Sequence, residues 1–249
     1  MNDLYEKSIA LIKQFQHQSG AYVACPNFEN YNFSWLRDGS FIAYAMDVAG
    51  EHESASKFHY WVNEVVSRYG HKVDKVEVAL ESGSVLEDKD FLYTRYTLGG
   101  LEDHEDDGWG NFQYDGYGTW LWALKEHIAL TGDKSLLDNF QEQIALIVRY
   151  LTLVWKLPSY DCWEEHPELL HPYSIAAAYG GLKSVLFMAE IGLEEVDLEE
   201  IEKTLAEMKE YVIQNGAGKG GFLKHISPDG KKNPLLTFIL NSSLLMLND

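Results

Sequence analysis

Three short segments concentrate the side chains that could move a proton or grip a polar ligand. The first is YNFSWLRDG, residues Tyr31 to Gly39. Arg37 and Asp38 set a five-donor fork beside a two-oxygen acceptor, a pair suited to clamping neighbouring hydroxyls. The same pair could instead be an ion pair at a helix start, with Asp38 at the N-terminus. The second is DGWGNFQYDG, Asp107 to Gly116. It combines Trp109, Gln113 and Asp115 between glycines. Asp115 can cap a following helix, a role that leaves Trp109 and Gln113 unexplained. The third is DCWEEH, Asp161 to His166, which gathers Asp161, Glu164 and Glu165 around Trp163. Carboxylates in unlike surroundings separate in pKa: an apolar neighbour keeps one protonated and hydrogen bonds keep another ionised. A general acid and its supporting carboxylate require that separation, whereas an isolated Glu-Glu pair is ordinarily a solvated acidic run.

The elements that must position these segments read as helix after helix. Asn2 or Asp3 caps a first helix, with Leu4, Ile9, Leu11, Ile12 and Phe15 on its apolar side. Gly39 to Val48, Glu51 to Tyr69, Tyr117 to Leu130, Lys134 to Lys156, Tyr173 to Ile191 and Asp197 to Gln214 follow as helices. Gly70 to Asp115 reads as mostly non-helical, with a short strand within Asp90 to Leu98, and Leu157 to Pro172 reads as a second long loop. A break at Gly216 to Gly221, a turn at Pro228-Asp229-Gly230 and an apolar segment from Leu235 to Leu247 close the chain. Strand–helix alternation is absent, which argues against a doubly wound sheet. Helices rich in Ala and Gly alternate with charged amphipathic ones. Helical pairs joined by alternately short and long loops predict an all-α fold, an α/α toroid or solenoid, as one domain over residues 1–249; a toroid with a buried inner row and an outer row fits the alternation.

The charge balance narrows the partners. Twenty Lys+Arg against 39 Asp+Glu give a formal net charge of -19. That surface disfavours nucleic acid, anionic lipid and polyanionic substrates, and leaves neutral ligands such as sugars unaffected. The 7 Trp and 15 Tyr often stand beside hydrogen-bonding residues, a combination that suits sugars, whose C–H faces stack on rings. Cys25 and Cys162 have no metal-type spacing and read as two free buried thiols. No metal cluster or cofactor motif is visible. No stretch reads as a membrane span and the acidic, amphipathic N-terminus does not read as a signal peptide, so the expectation is a cytoplasmic protein.

Taken in order, Y-x-x-x-W-x-R-D, W-G-x-x-Q-x-D-G and D-x-W-E-E resemble glycoside hydrolase family 15, the glucoamylase-like enzymes. LYTRY (Leu92 to Tyr96) and HPYSIAAAYGGL (His171 to Leu182) are similar to the family's connecting segments. The resemblance implies a glucoamylase-type (α/α)6 toroid acting at a non-reducing-end glucose of a small α-glucoside, with inversion. The two reacting carboxyls then stand roughly 6.5–9.5 Å apart. Glu164 would be the general acid, with Asp161, Trp163 and Glu165 flanking it. Arg37 and Asp38 would hold the terminal glucose, Tyr31, Trp35 and Trp109 would wall it, and Gln113 and Asp115 would order the surrounding loop. No cofactor is implied.

The family's general base lies well beyond the acid loop. Leu240 to Leu245 (LNSSLL) is similar to the family's D-A-S-L-L element, with Asn241 in place of Asp, and the chain stops four residues later. The expectation is a toroid truncated at its C-terminus, lacking the base and weakly active alone, with a second copy or second chain covering the exposed flank. The alternative is a non-catalytic carbohydrate-binding or regulatory module. A phosphorylase or epimerase ranks lower, because the conspicuous charges are acidic and no histidine pair is evident.

Overall fold

The computed structural model describes residues 2–103, 108–218 and 221–227. Among them are eight α-helices: α1 Asn2–Phe15, α2 Leu36–Val48, α3 His52–Tyr69, α4 His71–Ser82, α5 Asp115–Thr131, α6 Ser135–Val154, α7 Pro172–Ile191 and α8 Leu198–Tyr211. Two short antiparallel pairs accompany them. Strand β1 (Phe33–Trp35) pairs with β2 (Arg95–Thr97), and β3 (Ala217–Gly218) with β4 (Gly221–Phe222).

The helices form two rows. The inner row is α2, α5 and α7, with α5 packed between the other two. Tyr117, Trp120, Leu121 and Leu124 of α5 are fully buried, as are Ile175, Ala178 and Leu182 of α7. The two helices nearly touch at Gly118 and Gly181. A Cβ on Gly118 would lie 2.3 Å from the Ala177 carbonyl oxygen, and one on Gly181 would lie 2.5 Å from that of Gly118. Only glycine allows so close a crossing. Helices α3, α6 and α8 pack outside this row, each burying one apolar stripe: Phe58, Trp61, Val62 and Val65 on α3; Phe140, Ile144, Ile147 and Leu151 on α6; Ile201, Leu205 and Met208 on α8. Each of the three chemistry-bearing loops leads into the N-terminus of an inner helix: 31–35 into α2, 108–114 into α5, 157–171 into α7. Connections through the outer row bring the inner helices back in one orientation, so their N-termini meet at one rim.

Several expectations are corrected. Helix α4 lies inside the stretch read as non-helical; it buries only Lys72, Val73 and Val76, so its apolar signal is weak. Helix α2 starts three residues earlier than read, and α5 two residues earlier, making Asp115 its first residue rather than its cap. Asp197, read as the first residue of its helix, is instead the cap of α8, accepting from the Glu200 N–H, and the helix closes in a π turn, Val212–Gly216. Cys25 and Cys162 are free and only partly buried. By length and composition α7 is apolar enough to cross a membrane, as a core helix can be; 61% of its apolar window is buried. The 228–230 turn, the Leu235–Leu247 segment with Asn241, and Asp107 lie outside the described residues.

Candidate active site

Backbone hydrogen bonds knit the three loops, two of them through Thr94 just before β2. Leu36 N–H donates to Thr94 O (3.1 Å), Thr94 N–H to Asn111 O (2.9 Å), and Tyr160 N–H to Phe112 O (3.1 Å). Gly110 packs against the Tyr160 ring, where a Cβ would come within 1.9 Å of a ring carbon. In the β1–β2 register Trp35 faces Arg95. The Arg95 guanidinium sits 4.5 Å from the Phe33 ring, 5.3 Å from Trp35 and 5.1 Å from Trp109, a buried cation among three aromatic faces. Tyr31, Trp35 and Trp109 form one cluster, with centroids 5.8–6.0 Å apart. Trp35 is buried within it, while Tyr31 is exposed.

Arg37, second residue of α2, is the hub. Its NH1 donates to Asp115 Oδ2 at 3.0 Å and to Gln113 Oε1 at 3.1 Å. Asp115 and Gln113 are fully buried. The Arg37 guanidinium loses solvation by burial, yet Asp115 and Asp38 outweigh that loss and hold it firmly protonated. Asp38 is held loosely, with its Oδ2 3.8 Å from Arg37 Nε and its side chain 48% exposed. Burial, opposed by Arg37 and reinforced by Asp115 and Glu164, raises the Asp38 carboxyl above its ordinary value. Both acids lie in first helical turns, where the macrodipole favours negative charge.

Glu164 closes the arrangement. Its Oε1 accepts from Trp35 Nε1 (2.8 Å) and Gln113 Nε2 (3.2 Å), so one carboxylate oxygen is held by both other loops. Its Oε2 has no hydrogen-bond partner among the described residues. The Glu164 backbone is left-handed, at φ 62, a conformation unfavourable for a non-glycine residue and concentrated at functional sites. Asp161 enforces it: its Oδ1 accepts from the Trp163 N–H (2.9 Å) and Glu165 N–H (3.0 Å), and its carbonyl accepts from the Glu164 N–H (2.9 Å).

The structure therefore brings together Tyr31, Trp35, Arg37, Asp38, Trp109, Gln113, Asp115 and Glu164. It assigns the rest differently from the sequence reading. Asp161 shapes the turn that carries Glu164. Glu165 is exposed and ion-paired to Lys224. Trp163 is 72% exposed, and the indole that touches Glu164 belongs to Trp35. Three contributors escape sequence reasoning. Arg95 sits in the LYTRY segment, whose pattern gives it no role. Tyr173, in the first turn of α7, lies within electrostatic reach of Asp115, Cys162, Arg37 and Asp38, and its phenol is raised, by burial first and then by Asp115. Lys224 reaches Glu165 and, at 3.6 Å, Asp161, from a stretch with no motif to mark it.

An inner row of three helices with three knitted loops at its N-terminal rim is part of a glucoamylase-type (α/α)6 toroid. The chain belongs to the glycosyl hydrolases family 15, which matches residues 1–236. It is 39% identical over 186 residues to an isomaltose glucohydrolase of Kribbella flavida, covering 74% of this chain and 47% of that protein. A solved glycosidase variant in complex with glucose superposes with a TM-score of 0.81 at 35% identity, over 90% of this chain and 59% of the other. A bacterial glucoamylase complexed with acarbose shares the fold, with a TM-score of 0.63 at 16% identity, covering 96% of this chain and 33% of the other. The chain thus spans about half to three-fifths of the first two.

Proposed function

We propose that this chain provides the glucose-gripping wall and the general acid of an exo-acting, inverting α-glucoside hydrolase. The observation that carries the reading is the Glu164 carboxylate. One oxygen is fixed by Trp35 and Gln113, and the other is left for a proton and a glycosidic oxygen. Asp38 supplies an acceptor and Arg37 a donor for hydroxyls at the far end of the sugar. Tyr31 and Trp109 supply stacking faces. Glu164 protonates the leaving oxygen as the C–O bond breaks, and water attacks from the opposite face, its proton passing to a base. We infer that the base lies outside the described residues, because the described carboxylates around Glu164 are already engaged. Asp115 is bonded to Arg37, Asp161 to the turn and Glu165 to Lys224, while Asp38 serves the sugar. On this reading the 249 residues bind glucose and hydrolyse slowly or not at all without their complement.

Isomaltose is the first substrate to test, since the Kribbella relative is a glucohydrolase of that disaccharide. A neutral sugar is compatible with a chain of net charge -19. A reducing, cytoplasmic setting fits two cysteines kept as free thiols. The test is glucose release from isomaltose, maltose, trehalose and dextrin by wild type and Glu164→Gln, with glucose and acarbose binding followed by calorimetry. The reading expects saturable binding in both proteins and any turnover confined to wild type. Turnover that survives Glu164→Gln removes Glu164 as the acid. Robust Glu164-dependent turnover by the 249 residues places the base among them. Binding with no turnover under any complementation favours the carbohydrate-binding module instead.

A further inference from the structure

We propose that the opposite pole of the inner helices holds a divalent transition-metal ion of the zinc class, bound by Asp47, His59 and His127. Three different helices supply these side chains: Asp47 from the last turn of α2, His59 from α3, and His127 from near the end of α5. All three are buried, and one ligand atom from each lies within 4.8 Å of the other two. Asp47 Oδ1 and Oδ2 lie 2.8 and 2.9 Å from His127 Nδ1. The His59 and His127 rings are 5.1 Å apart. A carboxylate with two imidazoles matches a zinc-type donor set; bonds of about 2.0–2.1 Å set tetrahedral ligand atoms about 3.3 Å apart, so an ion replaces the Asp47–His127 hydrogen bond by parting that pair slightly.

The second observation is His59 itself. It is fully buried, and neither ring nitrogen has a hydrogen-bond partner among the described residues. Buried polar atoms are ordinarily satisfied, so an orphaned imidazole facing a carboxylate–imidazole pair calls for a ligand. The surroundings favour a cation. The C-terminal ends of α2 and α5 converge there with their negative dipole ends. His52, seven residues before His59 on the same face of α3, places Nδ1 2.9 Å from Asp47 Oδ1. With its side chain 44% exposed, His52 offers a route from solvent and a fourth ligand.

Asp47 is ten residues beyond Arg37 on α2, and His127 twelve beyond Asp115 on α5. At 1.5 Å per residue the site lies on the order of 15–18 Å from the rim. It is therefore a staple joining α2, α3 and α5, not part of the glucoside chemistry, and its test needs no turnover.

The protein is stripped with a chelator and dialysed against Zn2+ or Co2+. Metal per chain, the visible Co2+ spectrum and the Tm are then measured for wild type, His59→Gln and Asp47→Asn. The expected result is one ion per chain in wild type, a tetrahedral Co2+ spectrum and a Tm that rises with added Zn2+, all lost in both variants. Absence of stoichiometric binding by wild type overturns the proposal, as does undiminished binding by His59→Gln. Should a variant fail to fold, anomalous scattering from Zn2+-soaked wild-type crystals decides: a peak between Asp47, His59 and His127 supports the site, and its absence there refutes it.

Discussion

Replacing Arg37 by Met tests whether its buried ion pair with Asp115 holds the rim together. Its side chain is 13% exposed, and that of its partner Asp115 is fully buried, with an N–O separation of 3.0 Å. At an effective dielectric of about 20 the gross attraction is roughly 5–6 kcal/mol, much of it offset by desolvation of both ions. The loss on removing Arg37 exceeds the net worth of the pair, because Asp115 stays buried with its charge. Asp115 Oδ1 has no hydrogen-bond partner among the described residues, and Oδ2 would lose Arg37. Breaking such a pair costs about 3–5 kcal/mol. For a chain of this size that corresponds to a fall in Tm of roughly 6–20 °C. Arg37→Met/Asp115→Asn, which removes the stranded charge, should recover more than half of the loss without restoring glucose binding. Urea unfolding and calorimetric glucose titration measure both quantities. A single-variant cost below about 1 kcal/mol, or a double variant no more stable than the single, would refute the reasoning.

Four further outcomes follow from the geometry. Asp38 has a raised folded value, so the native state binds its proton more tightly than the unfolded chain; stability falls as pH rises from about 3.8 through that folded value. Asp38→Asn should therefore raise Tm at neutral pH, by only about 1–2 °C given the exposure of Asp38, and the gain should vanish toward pH 3 while glucose affinity is lost at all pH. Burial, followed by Asp115, pushes the Cys162 thiol up to about 12; alkylation at Cys162, read by mass spectrometry, should be slow at pH 8 and accelerate about tenfold per pH unit. Gly118→Ala drives a methyl into the α7 backbone and should destabilise by at least about 1–3 kcal/mol in urea unfolding, whereas Gly132→Ala, at a helix end with nothing within 4 Å, should cost only its left-handed backbone, about 1 kcal/mol. Asp161→Ala frees the turn beneath Glu164; kcat of the complemented enzyme should fall much more than glucose affinity.

The three loops are legible in the sequence because each carries residue types that packing alone does not require: an Arg-Asp pair, an indole with an amide between glycines, and carboxylates around Trp163. The toroid is legible from helices that are apolar all round alternating with helices apolar on one side. Other features depend on contacts that sequence does not spell out. Helix α4 shows no clear period because it buries a lysine between Glu102 and the Tyr93 ring rather than a full apolar stripe. Adjacency in the chain makes Trp163 the indole beside the acid, but the Asp161 turn sets it outward and brings in Trp35 from a strand 129 residues away. The Asp47–His59–His127 cluster has no motif spacing, because each member comes from a different helix. The Gly118–Gly181 crossing is invisible until α5 and α7 are laid together.

The central claim is that residues from three separated loops grip one glucose. A crystal structure of the protein soaked with glucose tests it most directly. The account predicts a sugar against Tyr31 and Trp109, its far hydroxyls on Arg37 and Asp38 and its anomeric end toward Glu164 Oε2. A sugar bound elsewhere, or a rim that stays free of glucose at saturating concentration, would contradict it.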